Sequence, residues 1–193
     1  MSVYLISLFL HIAGALGLAA VLALEWASVY GFRRATALGQ AREWARLLAA
    51  PRIVGGPASL IVLVTGIHLT ATRWGPQGWI IVGLGGMVAI AVLGVALGGR
   101  RGSAIARALE TEDDPIAPPL AHRLHDPVLT LSLTLRTALL LGVIFVMSGK
   151  PSAAGALAVL VVAAVLGAVA ALPAWSRARV AVRANAAGSW STR

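Results

Sequence analysis

The sequence contains no cysteine, one lysine and few charged residues of any kind. The absence of cysteine excludes disulfides, thiolate catalysis and cysteine-ligated metal or cluster sites. Charged residues make up 12% of the 193 residues, roughly half the ~25% that is usual in soluble domains. Hydrophobic residues make up 59%, and the mean hydropathy is +0.85. These figures exclude a disordered chain and favour an integral membrane protein over a soluble domain.

Acidic residues are the scarcer charged class. Asp and Glu number 7 against 16 Lys and Arg, which gives a formal charge of +9, and fifteen of the basic residues are arginines. In a soluble protein, a balance this basic suggests nucleic acid as a partner. In a membrane protein it is explained by the anionic cytoplasmic leaflet, beside which basic residues collect. We therefore expect the lipid bilayer as a partner and no nucleic acid.

Five apolar stretches are long enough to cross a membrane as helices, since about 20 residues span the hydrocarbon core. They cover residues 3–30, 53–72, 79–97, 128–148 and 153–175. The predicted fold class is all-α. We expect a polytopic transmembrane helix bundle of four core helices plus a fifth C-terminal helix, forming a single membrane domain over residues 1–193.

The arginine positions predict the orientation. Thirteen of the 16 basic residues fall in the first connection, the loop 99–127 and the tail 176–193, which alternation over five spans puts on one side. Because short cytoplasmic loops are rich in Lys and Arg, we expect the N-terminus outside and the C-terminus in the cytoplasm of a bacterial inner membrane. The first basic residue is Arg33, so the opening segment is expected to be a retained span rather than a signal peptide.

The first connection predicts a surface helix. Residues 34–50 have the pattern of a short amphipathic helix that lies at the cytoplasmic surface, with charged residues outward and Trp44 and Leu48 toward lipid or protein. We expect it to stop before Pro51.

The loop 99–127 is the longest polar segment. It holds an acidic run at 110–114, and His122 and His125 follow. A metal site could be built from these residues, but their spacing matches no zinc signature. We favour a plain polar loop, and we read the residues 176–193 as a basic cytoplasmic tail.

Four ionisable side chains fall inside the spans: His11, Glu25, His68 and Arg136. Such residues are costly in a membrane and indicate a functional or pairing role. Tyr4, His11, Leu18 and Glu25 recur every seven residues, which places them on one slowly drifting stripe of the first helix. We expect this stripe to face the bundle interior.

The two histidines are predicted to lie in the same leaflet at similar depth, because spans one and two are antiparallel neighbours. Two imidazoles that face each other could hold one haem iron axially. The same pair could bind copper or simply form hydrogen bonds within the bundle. Met87 and Met147 lie near the same side and are weaker candidates for a thioether ligand to haem or copper, since methionine in apolar helices usually serves packing.

Glu25 and Arg136 are predicted to pair. Their depths match to within roughly one helical turn, and Glu25 is the only acid inside any span. We favour a structural lock between helices one and four, with a proton path or a contact to a haem propionate as functional alternatives. In span three, Gly94 and Gly98 allow close helix packing or leave room for a flat cofactor. Span five has no ionisable residue and is expected to be a peripheral packing helix.

Three short motifs carry a family resemblance: LHIAG at 10–14, TGIHL at 65–69 and FVMSGKP at 145–151. With them the chain resembles, over about residues 1–151, a bacterial family of predicted small integral membrane proteins of unknown function. That family is similar to the membrane domain of the copper resistance protein D and to HemJ-type protoporphyrinogen oxidases. In the HemJ-type relatives the matching histidine is tied to haem or porphyrin chemistry, which implies a tetrapyrrole role for His11. The rest of the HemJ pattern is not found here, and this departure puts the oxidase activity in doubt.

The leading functional hypothesis is a b-type haem protein with His11 and His68 as iron ligands, transferring electrons to or from a quinone or a redox partner protein. One alternative is a copper-handling or transport protein. Another is a non-catalytic assembly or scaffold subunit, which could form a homo-oligomer. Whether the chain is an enzyme stays open at this point.

Overall fold

The structure is a computed structural model that describes residues 2–111 and 118–188, with side chains except at 49–52, 118 and 177–188. Its elements are α1 (Val3–Arg34), α2 (Leu38–Leu69), α3 (Gly78–Leu93), α4 (Arg100–Thr111), α5 (Pro118–Leu124), α6 (Pro127–Gly149) and α7 (Ala153–Gly188). Two π-helical segments, Thr70–Trp74 and Gly94–Gly99, extend α2 and join α3 to α4. No β-strand occurs in the described ranges, and the all-α prediction is confirmed.

Five helices are long and apolar enough to cross a membrane. They are Val3–Arg34, Leu38–Trp74, Gly78–Thr111, Pro119–Gly149 and Ala153–Ser176. The first three have 32 to 37 residues, or about 48–55 Å at 1.5 Å per residue, against a hydrocarbon core of about 30 Å. The chain is therefore a multi-pass membrane protein that contacts the lipid bilayer, and its helices project beyond the hydrocarbon.

The helix α6 is the centre of the bundle. In its apolar stretch 44% of the residues are buried, against 28% in the last span and 14–17% in the first three. It contacts α1, α3 and α7. Its start is fixed by Asp126, whose Oδ1 accepts a hydrogen bond from the Val128 backbone N–H (2.8 Å), and Pro127 follows at the first helical position. This is the usual chemistry of a helix N-terminus.

Span five, expected to be a peripheral packing helix, packs closely on α6. Ala156 and Ala171 of α7 are fully buried, and a Cβ at Gly167 would lie 2.9 Å from the Cα of Leu135. Small residues let α7 approach the α6 backbone this closely. The sequence pattern of Ala, Val and Leu does not distinguish a lipid-facing helix from one packed through its alanines.

The amphipathic surface helix predicted for residues 34–50 is not a separate element. Its backbone continues through Pro51 into the second span, so α2 runs unbroken from Leu38 to Leu69. Proline in a helix interior removes one hydrogen bond, but a neighbouring helix can hold the helix together. Here α1 packs along α2 in the most extensive helix contact of the fold.

The basic end of the bundle is a packed helical cap. We use this name for the end of α1, the first turns of α2, and α4 and α5. The largest fully buried apolar side chains of the cap are Phe32, Leu38, Ile105, Leu109, Leu120 and Leu124. The polar loop predicted over 99–127 is thus largely helical. Beyond the hydrocarbon, water restores the hydrophobic effect, which explains why most of the large, fully buried apolar side chains lie here.

The opposite end of the bundle is closed by aromatic residues. Trp74 and Trp79 meet edge to face with ring centroids 5.9 Å apart, and the ammonium of Lys150 lies 4.0 Å from the Trp74 ring. Arg73 stacks over Tyr4 at 5.7 Å. Gly75 makes the turn with φ +68°, a conformation that favours glycine. Both basic residues of this end therefore lie on aromatic rings, as expected at a membrane interface.

Candidate functional site: polar contacts within the bundle

Glu25 of α1 and Arg136 of α6 form an ion pair inside the bundle. The Nη1 group of Arg136 donates to Oε2 of Glu25, and Nη2 donates to Oε1 over 3.2 Å, so the contact is bidentate. The side chains are only 17% and 11% exposed, respectively. This is the direct pairing that matching depth in the sequence predicted. A planar guanidinium that meets a carboxylate with two bonds restricts both the rotation and the register of the two helices.

The guanidinium of Arg136 rests on the glycine-rich segment after α3. A Cβ at Gly94 would lie 3.2 Å from both Cζ and Nε of Arg136, and one at Gly98 would lie 3.9 Å from Nη1. The backbone of this segment is π-helical, a geometry often found at functional positions within helices. The two glycines therefore allow the charged guanidinium of Arg136 to approach the helix backbone closely.

Two further side-chain hydrogen bonds join α1 to α6. The indole Nε1 of Trp26 donates to Oγ1 of Thr137 over 3.0 Å, and Nη2 of Arg33 donates to Oγ1 of Thr130 over 2.5 Å. Together with the ion pair they follow one edge of α1 from within the membrane to the cap. The α1–α6 contact is smaller than the α1–α2 contact, and these three polar contacts lie within it.

His11 is held against α2. Its Nδ1 lies 3.0 Å from the Val62 carbonyl oxygen and 3.1 Å from Oγ1 of Thr65. Because a carbonyl oxygen only accepts, Nδ1 carries the proton and donates to both. A Cβ at Gly66 would lie 3.2 Å from Cε1 of the imidazole, so the ring is packed directly on the α2 backbone. The remaining nitrogen, Nε2, is not used in these bonds.

His68 does not share the α1-facing side of α2. That side is marked by buried Ala58, Val62, Thr65 and Leu69. At about 100° per residue, position 68 lies roughly 100° away from the middle of this set, and its side chain is half-buried. With His11 packed on the α2 backbone, the two imidazoles do not enclose the gap that a flat macrocycle needs. A haem held by both histidines therefore does not fit this arrangement.

A haem at His11 would also be out of reach of the ion pair. Fourteen residues separate His11 from Glu25 along one continuous helix, which corresponds to about 21 Å. A propionate extends far less than this from the iron of its own haem. The contact between Arg136 and a haem propionate, considered from the sequence, is therefore not supported by the geometry.

The two methionine candidates pack within the apolar core. Met87 and Met147 both lie against the buried cluster between α3 and α6. The methyl carbon of Met147 would be 2.3 Å from a Cβ at Gly83, and its sulfur 3.9 Å. The side chain fills the space left by the glycine, which is the packing role that an unbranched thioether usually has.

The polar residues of the cap are used in local structure. Asp126 accepts from Nε of Arg101 over 2.7 Å in addition to capping α6, and Nδ1 of His125 donates to the Ala121 carbonyl over 2.9 Å. Across the described ranges no group of three His, Asp or Glu side chains is arranged to hold a metal. The acidic residues Glu112, Asp113 and Asp114 lie outside the described part of the chain.

Sequence reasoning missed the hydroxyl partners on α6. Thr130, Thr134 and Thr137 recur at intervals of four and three, which puts them on one side of the helix. Two of them accept bonds from α1, whereas Thr134 donates to the carbonyl of Thr130 over 3.0 Å. A periodic row of threonines in an otherwise apolar span was the signal available.

Comparisons of the chain with protein-family models, with curated proteins and with solved structures find no match.

Proposed function

We propose that the chain is a non-catalytic membrane scaffold or assembly subunit that holds a basic helical cap at the membrane surface. The observation that supports this best is that three polar side chains of α1, those of Glu25, Trp26 and His11, each bind a neighbouring helix. Glu25 binds Arg136, Trp26 binds Thr137 and His11 binds the α2 backbone. Buried ionic and polar groups of this kind fix a helix arrangement more than they add stability.

The proposal includes the orientation of the chain in the membrane. The cap contains most of the basic residues that precede α6, and basic residues near span ends favour the cytoplasmic side. We therefore place the cap in the cytoplasm and the N-terminus outside, in a bacterial cytoplasmic membrane. The partner would be another membrane polypeptide or a second copy of this chain, held through the cap or the spans.

A second candidate function is binding of one haem b or copper ion at His11 alone. The specific observation is the Nδ1–H bond to the Val62 carbonyl. Histidine ligands of metals commonly donate their second ring N–H to a carbonyl, which fixes the tautomer and exposes the lone pair of the other nitrogen. His11 would then supply one ligand through Nε2. A role in electron transfer with a quinone or a redox partner depends on this candidate, as does the tetrapyrrole role implied by the resemblance.

One experiment separates the two functions. The full chain is expressed with ample haem and copper, purified in mild detergent and examined by absorption spectroscopy, oxidised and dithionite-reduced, together with metal analysis. His11→Ala is the test variant and His68→Ala is the control. The scaffold proposal expects no Soret band and far less than one copper per chain in all three proteins. A Soret band or stoichiometric copper that is lost in His11→Ala and kept in His68→Ala would overturn it in favour of the second candidate.

The scaffold function itself is tested by its partner. Native mass spectrometry of the tagged full chain, purified from its own membranes, should show a second polypeptide or a second copy at a fixed ratio. Glu25→Gln should reduce that complex because it loosens the helix arrangement, whereas His68→Ala should not. A chain that is strictly monomeric and free of other polypeptides at physiological expression would contradict the proposal.

A further inference from the structure

A pocket of about 440 Å³ lies between α4 and α5 in the cap. Its apolar floor consists of Ala104, Ala108, Pro119 and Leu120, and its polar rim consists of Arg107, Thr111 and Arg123. The volume falls within the ~300–1,000 Å³ of small-molecule sites. None of these residues takes part in the polar contacts within the spans.

The sequence of α4 creates this pocket. Ala104, Arg107, Ala108 and Thr111 recur with a spacing of three and four, so they share one side of the helix. The neighbouring side carries Ile105 and Leu109, which are buried in the cap core. The alanines leave open space beside α5, where a larger side chain would fill it.

The arginines of the rim are not neutralised by the described chain. Its ion pairs join Arg101 to Asp126 and Arg136 to Glu25. Arg107 donates through Nε to its own helix, at the Ser103 carbonyl over 3.3 Å. Arg107 and Arg123 are exposed, and their guanidinium groups have no carboxylate within ion-pair distance among the described residues.

We propose that this pocket binds a phosphate ester, with the phosphate between Arg107 and Arg123 and the organic part on the alanine floor. Guanidinium groups present paired donors that match phosphate oxygens, and basic pockets at the ends of membrane helices are known to bind lipid headgroups. The Thr111 hydroxyl donates to the Ala108 carbonyl over 3.2 Å, so the two arginines are the donors that the rim offers to a ligand. The pocket's mixed lining fits an anionic head with a carbon-bearing remainder better than inorganic phosphate alone.

Two sources of this ligand are within reach of the pocket. Arg107 lies seven residues beyond Arg100, the first charged residue after span three, or about 10 Å farther along the helix axis. The headgroup layer adds about 5–8 Å to each side of the hydrocarbon, and an arginine side chain reaches several ångströms. Both a phospholipid headgroup and a soluble phosphate ester can therefore meet the two guanidinium groups.

The binding test uses the purified full chain in detergent. The probes are short-chain phosphatidylglycerol, short-chain phosphatidylcholine and glycerol 3-phosphate, each measured by calorimetric titration. Arg107→Gln/Arg123→Gln is the pocket variant. Arg46→Gln/Arg100→Gln is the matched control, since it removes the same charge from the same end without touching the pocket. Circular dichroism and the unfolding midpoint verify that both variants fold like the parent.

The proposal expects binding of at least one phosphate-bearing anion, weakened about tenfold or more in the pocket variant and less than about twofold in the control. Phosphatidylglycerol binding without glycerol 3-phosphate binding identifies a lipid headgroup, and the reverse identifies a soluble ester. Equal weakening in both variants would show a general charge effect, and equal affinity for zwitterionic phosphatidylcholine would show binding through the acyl chains. Either result would overturn the proposal. Failure of the parent chain to bind any of the three probes would overturn the proposal, and this outcome is independent of the scaffold function.

Discussion

The indole of Trp44 lies against α1 at Gly31, where it occupies the space that any side chain at position 31 would need. A Cβ built at Gly31 would fall 2.1 Å from Cδ2 and 2.3 Å from Cε2 of the ring. Only residues 35–37 connect α1 to α2, so the hairpin has little slack at this end. The contact between Trp44 and Gly31 therefore fixes how α2 packs on α1 at the start of the cap.

Gly31→Ala should destabilise the cap. The added methyl would overlap the ring of Trp44, which packs against the buried cluster that contains Phe32, and overpacking of this kind costs about 2–3 kcal/mol. The free energy of unfolding, measured by SDS titration in mixed micelles, checks this value. Gly39→Ala is the control, because nothing lies within 4 Å of its Cβ position. Trp44→Leu should rescue Gly31→Ala in part, and a Gly31→Ala protein as stable as the parent would refute the contact.

Removing one member of the Glu25–Arg136 pair should be more harmful than removing both. Glu25→Gln or Arg136→Gln leaves a charge in a low-dielectric interior without its partner, at a cost of about 3–5 kcal/mol for a buried pair. The double variant Glu25→Gln/Arg136→Gln leaves no such charge. Its loss should be clearly smaller than the sum of the single losses, measured by the same titration. Additive losses would mean that the two side chains do not interact in the membrane.

Gly94→Ala should lower the stability of the protein by displacing the Arg136 guanidinium. The added methyl would stand 3.2 Å from Cζ and Nε, so the guanidinium must move by a few tenths of an ångström, at a cost of about 1 kcal/mol. Gly85→Ala is the matched control in the same span, since its Cβ position is open. In an Arg136→Gln background the effect of Gly94→Ala should shrink. An unchanged cost there would place its cause in the helix backbone instead.

The spans and the ion pair could be predicted because membranes impose simple rules. A run of about twenty apolar residues predicts a transmembrane helix, and a single acidic residue and a single arginine at matching depth have few other partners. The Glu25–Arg136 pair could therefore be predicted without any knowledge of the packing. The placement of the two histidines could not, because small residues such as Ala58 and Thr65 decide which side of α2 faces α1. Such residues leave only a weak pattern in an apolar helix.

The cap was not predicted, because the sequence features of its helices are local and do not show which residues they contact. Trp44 and Leu48 were expected to face lipid or protein, and only the fold shows that they pack against Gly31 and Gly102. Arg42, expected to point outward, donates through Nε to the Leu109 carbonyl over 2.9 Å, near the C-terminal end of α4. Such a contact satisfies a free carbonyl and the helix dipole, but it joins residues far apart in sequence. Periodicity carries no information about such pairings.

Gly167→Ala should separate α7 from α6. Its Cβ position lies 2.9 Å from the Cα of Leu135 and 2.9 Å from the Thr134 carbonyl oxygen. Both are backbone atoms, so no side chain can turn away and the helices themselves must move apart. Within membranes, packing contacts rather than the hydrophobic effect hold helices together, so the expected loss is about 1–3 kcal/mol. Gly56→Ala, whose Cβ position is open, should lose nothing. Equal stability of Gly167→Ala and Gly56→Ala would show that the close approach of α7 to α6 adds little stability, whereas a selective loss makes α7 part of the α6-centred core.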